Sequence, residues 1–194
     1  MLGFKQNQKI TSSSHRIPYL GREFTISFGM VVKQPTAKWE NVIHFAQGDK
    51  PWPRIPAVFI GTGNKLQVHM QHLWKRSDTV LKTNRIMKID ISQTLTPKQV
   101  YAFINSSSRY LLHYCHLPQY LVYGFLYSEK KYIFEVKIDN KEMYKAENTD
   151  AQIFENINIY VSDPWNPSAT GNMTSLLVRT WDNEGKFNLQ LFHL

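Results

Sequence analysis

Phe24-Thr-Ile-Ser-Phe-Gly-Met-Val-Val-Lys33 is the stretch on which the fold turns. Phe24, Ile26, Phe28, Met30 and Val32 share one parity, while Thr25, Ser27 and Lys33 take the other. Side chains two residues apart leave a strand on the same side, so this is a strand with one buried face. The rhythm returns at Leu66, Val68 and Met70 against Lys65, Gln67 and His69, and at Met87, Ile89 and Ile91 against Lys88, Asp90 and Ser92. Tyr132, Phe134, Val136 and Ile138 repeat it against Glu135, Lys137 and Asp139; Ile157, Ile159 and Val161, then Phe187, Leu189 and Leu191, close the series. Turn-forming clusters separate the runs: Gly48-Asp49, Gly61-Thr-Gly-Asn64, Asp139-Asn-Lys141, Asp163-Pro164 and Asn183-Glu-Gly185. Many short alternating strands with turns between them predict an all-β, two-sheet antiparallel sandwich. Phe24, Ile26, Phe28, Phe134, Val136, Ile138, Ile157 and Ile159 should point into its single core.

Composition bounds what else the chain can be. Its 194 residues, 42% apolar and 13% aromatic, suit one folded domain and exclude disorder. One cysteine, Cys115, excludes an internal disulfide framework. Residues 1–16 hold no apolar run of signal-peptide length, which leaves the compartment open. The greasiest stretch, Tyr110 to Tyr127, is interrupted by His113, His116, Pro118 and Gln119, so no membrane span is expected. The net charge of +8 sits in the first half: residues 1–93 carry 14 Lys and Arg against 5 Asp and Glu. That half is either a solvated basic face or a surface for a polyanion such as a sulfated glycan; nucleic acid is not the expected partner.

One segment breaks the alternation. Residues 94–128 lose the period of two, and Thr96-Pro97 has the form of a helix cap followed by proline at the first helical position. Val100, Phe103 and Ile104 would then share a helical face, which predicts a short helix over 97–105 within an irregular insertion. The domain plan is an N-terminal arm over 1–21 and one sandwich over 22–194, with the insertion at 94–128.

Phe24-Thr-Ile-Ser-Phe28, Trp39-Glu-Asn-Val-Ile-His-Phe45, Arg54-Ile-Pro-Ala-Val-Phe-Ile60 and Lys65-Leu-Gln-Val-His69 together resemble the opening of a concanavalin A-like lectin/glucanase domain. Tyr132-Ile-Phe-Glu-Val-Lys-Ile-Asp-Asn-Lys-Glu-Met-Tyr144 is similar to a hairpin of such domains, and Ile157-Asn-Ile-Tyr-Val-Ser-Asp-Pro-Trp165 to a closing strand and its loop. The resemblance covers about 22–92 and 131–182, and Ser162-Asp-Pro-Trp165 is its most distinctive piece. It implies a jelly-roll sandwich of the laminin G-like or pentraxin-like kind. Such modules are typically extracellular and bind carbohydrate or protein, sometimes with calcium.

Glucanases of that superfamily set three carboxylates on one strand, two residues apart; a retaining mechanism needs two of them about 5–5.5 Å apart. The nearest candidate here, Glu135-Val-Lys-Ile-Asp139, has Lys137 in the middle place, and a lysine there holds its neighbours ionised when one needs a raised pKa. No enzyme is expected. His69/His72 and His113/His116 offer too few ligands for zinc, and a strand sends i and i+3 to opposite faces. Asn105-Ser-Ser and Asn172-Met-Thr are sequons that matter only in a secreted chain.

The loop tryptophans carry the functional expectation. Trp52 lies in Lys50-Pro-Trp-Pro-Arg54 and Trp165 in Asp163-Pro-Trp-Asn-Pro167. Flanking prolines stiffen each loop, so a sugar stacking on the ring costs little ordering entropy. Arg54, Asp163 and Asn166 stand beside them to hydrogen-bond hydroxyls. The competing reading is that both rings plug the ends of the sandwich. Calcium would find oxygens from Asp163 and Asn166, two against the six to eight it takes, so no cofactor is expected. The leading expectation is a non-enzymatic carbohydrate- or glycoprotein-binding module with Trp52, Arg54, Asp163, Trp165 and Asn166 at its site. A β-sandwich for protein interaction, and a polyanion binder, are the alternatives.

Overall fold

The computed structural model describes residues 1–5, 8–10, 17–103, 124–181 and 185–193, with backbone alone for 97–103 and 124–130. Among the described residues there are thirteen strands in two antiparallel sheets, and no helix. The strands are β1 (Leu2–Gly3), β2 (Ile17–Leu20), β3 (Glu23–Val32), β4 (Glu40–Gln47), β5 (Arg54–Gly61), β6 (Lys65–Met70), β7 (Leu73–Val80), β8 (Ile86–Phe103), β9 (Gly124–Ile138), β10 (Lys141–Glu147), β11 (Phe154–Val161), β12 (Gly171–Trp181) and β13 (Phe187–Phe192). A seven-stranded sheet runs β1-β12-β3-β8-β9-β10 with β13 paired to β12; a six-stranded sheet runs β2-β11-β4-β5-β6-β7.

Parity did what it predicts. Along β3 and β6, burial alternates without a break. Phe24, Ile26, Phe28, Phe134, Val136, Ile157 and Ile159 are buried in one cluster drawn from both sheets, and Ile138 packs against its margin. Turn chemistry also matches: Gly63 and Asn64 take positive φ between β5 and β6, and Asp139 and Asn140 take it between β9 and β10. β4 and β5 are different. Nearly every residue in them is buried, which for an antiparallel sheet means that something covers the outer face as well.

Three expectations meet a different structure. Residues 97–103 continue β8 as strand where a helix was expected over 97–105; β8 lies beside β9 in a hydrogen-bonded ladder, and such pairing overrides the local cap signal of Thr96-Pro97. Residues 104–123 of the expected insertion lie outside the described residues. By contacts the chain forms two compact units, Met1–Thr94 with Tyr132–Leu194, and Leu95–Lys131. The expected arm over 1–21 supplies strands instead, β1 to one sheet and β2 to the other, with Ile17 and Leu20 fully buried. Finally, Phe187, Leu189 and Leu191 are each 50% exposed, so the apolar parity of β13 faces outward. Their partners across the ladder are Trp181, Arg179 and Leu177, the parity of β12 opposite to core-facing Leu176 and Val178.

Candidate functional site

The site lies on the outer face of the six-stranded sheet. Ile43 and Phe45, Val58 and Ile60, Val68 and Met70, Ile159 and Val161 use the inner parity. The opposite parity therefore aligns side chains across neighbouring strands. One row is Trp74, His69, Ala57, His44 and Tyr160; a second is Arg76, Gln67 and Phe59.

The Ser162–Asn166 loop covers one end of this face. Ser162 takes a φ of 66°, which turns the chain back over β4. The Asp163 N–H donates to Asn41 Oδ1 at 3.0 Å, and the carboxylate is then filled from every side. Its Oδ1 accepts from the N–H groups of Trp165 (3.0 Å) and Asn166 (2.8 Å). Asn166 Nδ2 reaches both oxygens at 3.0 Å, and His44 Nδ1 donates to Oδ2 at 2.6 Å. Burial pushes the Asp163 pKa up, but hydrogen bonds from His44 and Asn166 outweigh it and hold it below the usual carboxylate range.

His44 and Asp163 have no exposed side-chain surface. His44 Nδ1 is taken up by Asp163, and the other ring nitrogen, Nε2, is buried without a hydrogen-bond partner among the described residues. Trp165 closes over it, edge-on to both His44 and Tyr160 with ring centroids 5.3 Å apart in each case. A histidine–carboxylate pair activates a nucleophile only when one is in hydrogen-bond reach of the second nitrogen. Here that nitrogen faces none, so the pair braces the loop.

Beside the loop opens a cleft of about 210 Å³, lined by Trp39, Arg54, Phe59, Gln67, His69 and Asn166. Trp39 lies across Gly61, where a Cβ would come within 2.1 Å of the indole, so only glycine lets the ring lie there without being displaced. Arg76 stacks on the Trp39 ring at 5.3 Å. Arg54 lies over the rings of Trp52 (4.4 Å) and Phe59 (4.9 Å), and its Nη1 donates to His69 Nδ1 at 3.1 Å. Burial lowers the Arg54 pKa, against the pull of Asp163. Gln67 Nε2 stands 2.6 Å from His69 Nε2. A neutral imidazole accepts at one nitrogen only, so with Nδ1 accepting from Arg54 the Gln67 amide turns its oxygen to Nε2–H.

Burial first, then the charges of Arg54 and His44, bring His69 down to a pKa of about 4, so it is neutral at pH 7. The sign of the pH dependence follows. Between about 4 and the unfolded value near 6.5, the unfolded chain binds more protons than the folded one. Stability from His69 is therefore complete above pH 7 and falls as pH drops from about 6.5 to about 4. Partial solvent screening reduces the effect to about 1–2 kcal/mol. Urea unfolding at several pH values, on the wild type and His69→Gln, checks it; equal pH slopes in the two would remove His69 as the cause. The Asp163 contribution is lost at lower pH, as pH falls from the ordinary carboxylate value of the unfolded chain toward the depressed folded one.

Of the residues expected at the site, Arg54 and Asn166 line the cleft, and Trp52, 56% exposed, stacks on Arg54 beside it. Trp165 packs on His44 and Tyr160, and Asp163 is buried with both oxygens engaged. Trp39, Phe59, Gln67 and His69 were not expected. Of these only Phe59 left a signal: it lies in Ala57-Val-Phe-Ile60, which like Val42-Ile-His-Phe-Ala46 is an unbroken run among alternating strands and marks a face covered on both sides. On the other sheet, Lys137 Nζ sits 2.7 Å from Glu135, and Asp139 holds Arg85 at 3.2 Å, so this carboxylate pair is taken up by cations. No cluster of three or more metal-ligating side chains occurs among the described residues. No described helix is long and apolar enough to cross a membrane.

No protein-family model matches the chain, and no curated sequence matches it. Among solved structures, a SAP-like heptameric pentraxin from Limulus polyphemus aligns over 98% of this chain and 93% of its own, with a TM-score of 0.52 and 7% identity. A proposed carbohydrate-binding protein from Bacteroides ovatus aligns over 91% of this chain, with a TM-score of 0.51 and 9% identity. The fold is the concanavalin A-like jelly roll. The chain spans 42% of the length of the Bacteroides protein, so the jelly roll is one part of that larger molecule. At these identities the likeness is one of fold. In this jelly roll the covered outer face of the six-stranded sheet is a property of this chain's own residues.

Proposed function

We propose that this jelly roll is a non-enzymatic carbohydrate- or glycoprotein-binding module, working outside the cell, with its site in the cleft beside the Ser162–Asn166 loop. The observation that carries the reading is the cleft's lining: an indole, Trp39, on one wall, and hydrogen-bonding groups from Arg54, Gln67 and Asn166 around it. An aromatic ring takes the apolar face of a sugar while polar neighbours read its hydroxyls. Trp52 extends the aromatic surface through its stack on Arg54. Hydrolysis finds no support, since no carboxylate lines the cleft and Asp163 has no free oxygen.

A glycan array followed by titration calorimetry tests the reading. Sugar sites of this size bind near millimolar, roughly 4 kcal/mol in all, so losing one stacked ring removes much of the affinity. Trp39→Ala and Trp52→Ala are expected to weaken binding at least tenfold, with melting temperatures shifted little for the exposed Trp52. Binding that survives both substitutions would place the site elsewhere. A second reading, a protein-interaction sandwich, is favoured by the outward Phe187, Leu189 and Leu191 on β13. It predicts that their replacement by serine, and not the tryptophan changes, abolishes partner capture. A polyanion bound through the basic first half would instead be released steeply by salt.

A further inference from the structure

Two arginines flank the cleft in the same manner. Arg54 stacks on Trp52 and Arg76 on Trp39, and the Nε of each is buried without a hydrogen-bond partner among the described residues. A guanidinium withdrawn from water normally recovers its lost hydration by filling its donors. Arg76 does so in part, through Nη2 to the Thr62 carbonyl at 2.6 Å. Arg54 does so at Nη1 alone, toward His69. Its Nε–Nη2 edge, the side-on fork whose two N–H groups run parallel, has no acceptor among the described residues. Nε is buried in the free protein, so an approaching oxygen meets Nη2 first, and side-on pairing needs a small shift that opens Nε.

No carboxylate is hydrogen-bonded to the fork among the described residues, although Arg54 feels the buried charge of Asp163. The six residues lining the cleft include one permanent cation and no carboxylate. His69 is neutral and already accepts from Arg54, and Asp163 is enclosed by its own loop. What fits the remaining edge is a planar group with two parallel acceptor oxygens, and a carboxylate has that geometry.

We infer that the ligand of this cleft is an acidic saccharide whose carboxylate pairs side-on with Arg54 while its ring stacks on the neighbouring indoles. The inference rests on the carbohydrate reading and narrows it to sugar acids. Arg54 supplies orientation as well as charge, because Nη1 is pinned by His69 and the guanidinium plane by Trp52 and Phe59.

The test measures affinities for sugars in acid and neutral pairs: trigalacturonate against its full methyl ester, and 3′-sialyllactose against lactose. At least one acid should bind tenfold or more tightly than its neutral partner. Arg54→Gln should erase that preference. Arg54→Lys, which keeps charge and stem but not the fork, should lose most of it. Should Arg54→Gln fail to fold, judged by circular dichroism, the lysine variant carries the test. Because one ion pair is formed, the preference should weaken only about as a single charge does with salt. Acid and neutral sugars bound equally, with binding still lost in Trp39→Ala, would overturn the inference and leave the carbohydrate reading standing. No binding to any of the four sugars would overturn both. An acid preference untouched in a folded Arg54 variant would overturn the assignment to this residue.

Discussion

Asp163→Ala is expected to destabilise the protein by about 3–5 kcal/mol, the cost of removing one partner from a buried, hydrogen-bonded pair. Its carboxylate accepts from His44 Nδ1, from two backbone N–H groups and from the Asn166 amide, all without solvent. After the change every one of those donors is orphaned in place. Asp163→Asn should cost less, since its one carbonyl oxygen still takes the Trp165 and Asn166 N–H groups while its amide nitrogen faces His44. A double-mutant cycle with His44→Ala gives the coupling: the double mutant should be less destabilised than the sum of the singles by at least 1 kcal/mol. A loss below 1 kcal/mol for Asp163→Ala would mean that the loop is not tied down by this residue.

Trp165→Ala is expected to cost about 2–3 kcal/mol, less than a fully buried tryptophan because part of the ring reaches solvent. For a domain of this size that lowers the melting temperature by roughly 5–10 °C. The indole sits edge-on to His44 and Tyr160 and roofs the buried His44 Nε2. Trp52→Ala, by contrast, should stay within about 1 kcal/mol, because its ring is 56% exposed and stacks on the Arg54 guanidinium. The two tryptophans look alike in sequence, each held between prolines. Equal melting-temperature losses in the two variants would contradict the packing described for them.

How much was legible follows from which signals are local. Strand parity is, and β3, β6 and the inner face of β11 could be read directly from alternation. The outward turn of β13 was not, because Phe187, Leu189 and Leu191 alternate as a core strand would and only pairing with β12 sets their side. The strand at 97–103 was missed because cap chemistry at Thr96-Pro97 is visible in sequence and a partner strand is not. At the site, Arg54, Asn166 and Trp52 could be named from their loops. Trp39, Gln67 and His69 could not, since they meet Arg54 only through the register of β4, β5 and β6. Trp165 and Asp163 belong to one motif in sequence, and distance alone shows that they hold the loop down.

The cross-strand rows on the outer face also act as a ruler. Strands in a sheet lie about 4.8 Å apart, whereas successive same-side residues along a strand are about 6.6 Å apart. Only part of that ruler is open: along the first row Ala57 and His44 have no exposed surface, while Trp74 at the sheet edge is 61% exposed. A molecule reaching this row from solvent therefore meets it over its β6–β7 end alone, a span of one strand spacing, about 4.8 Å.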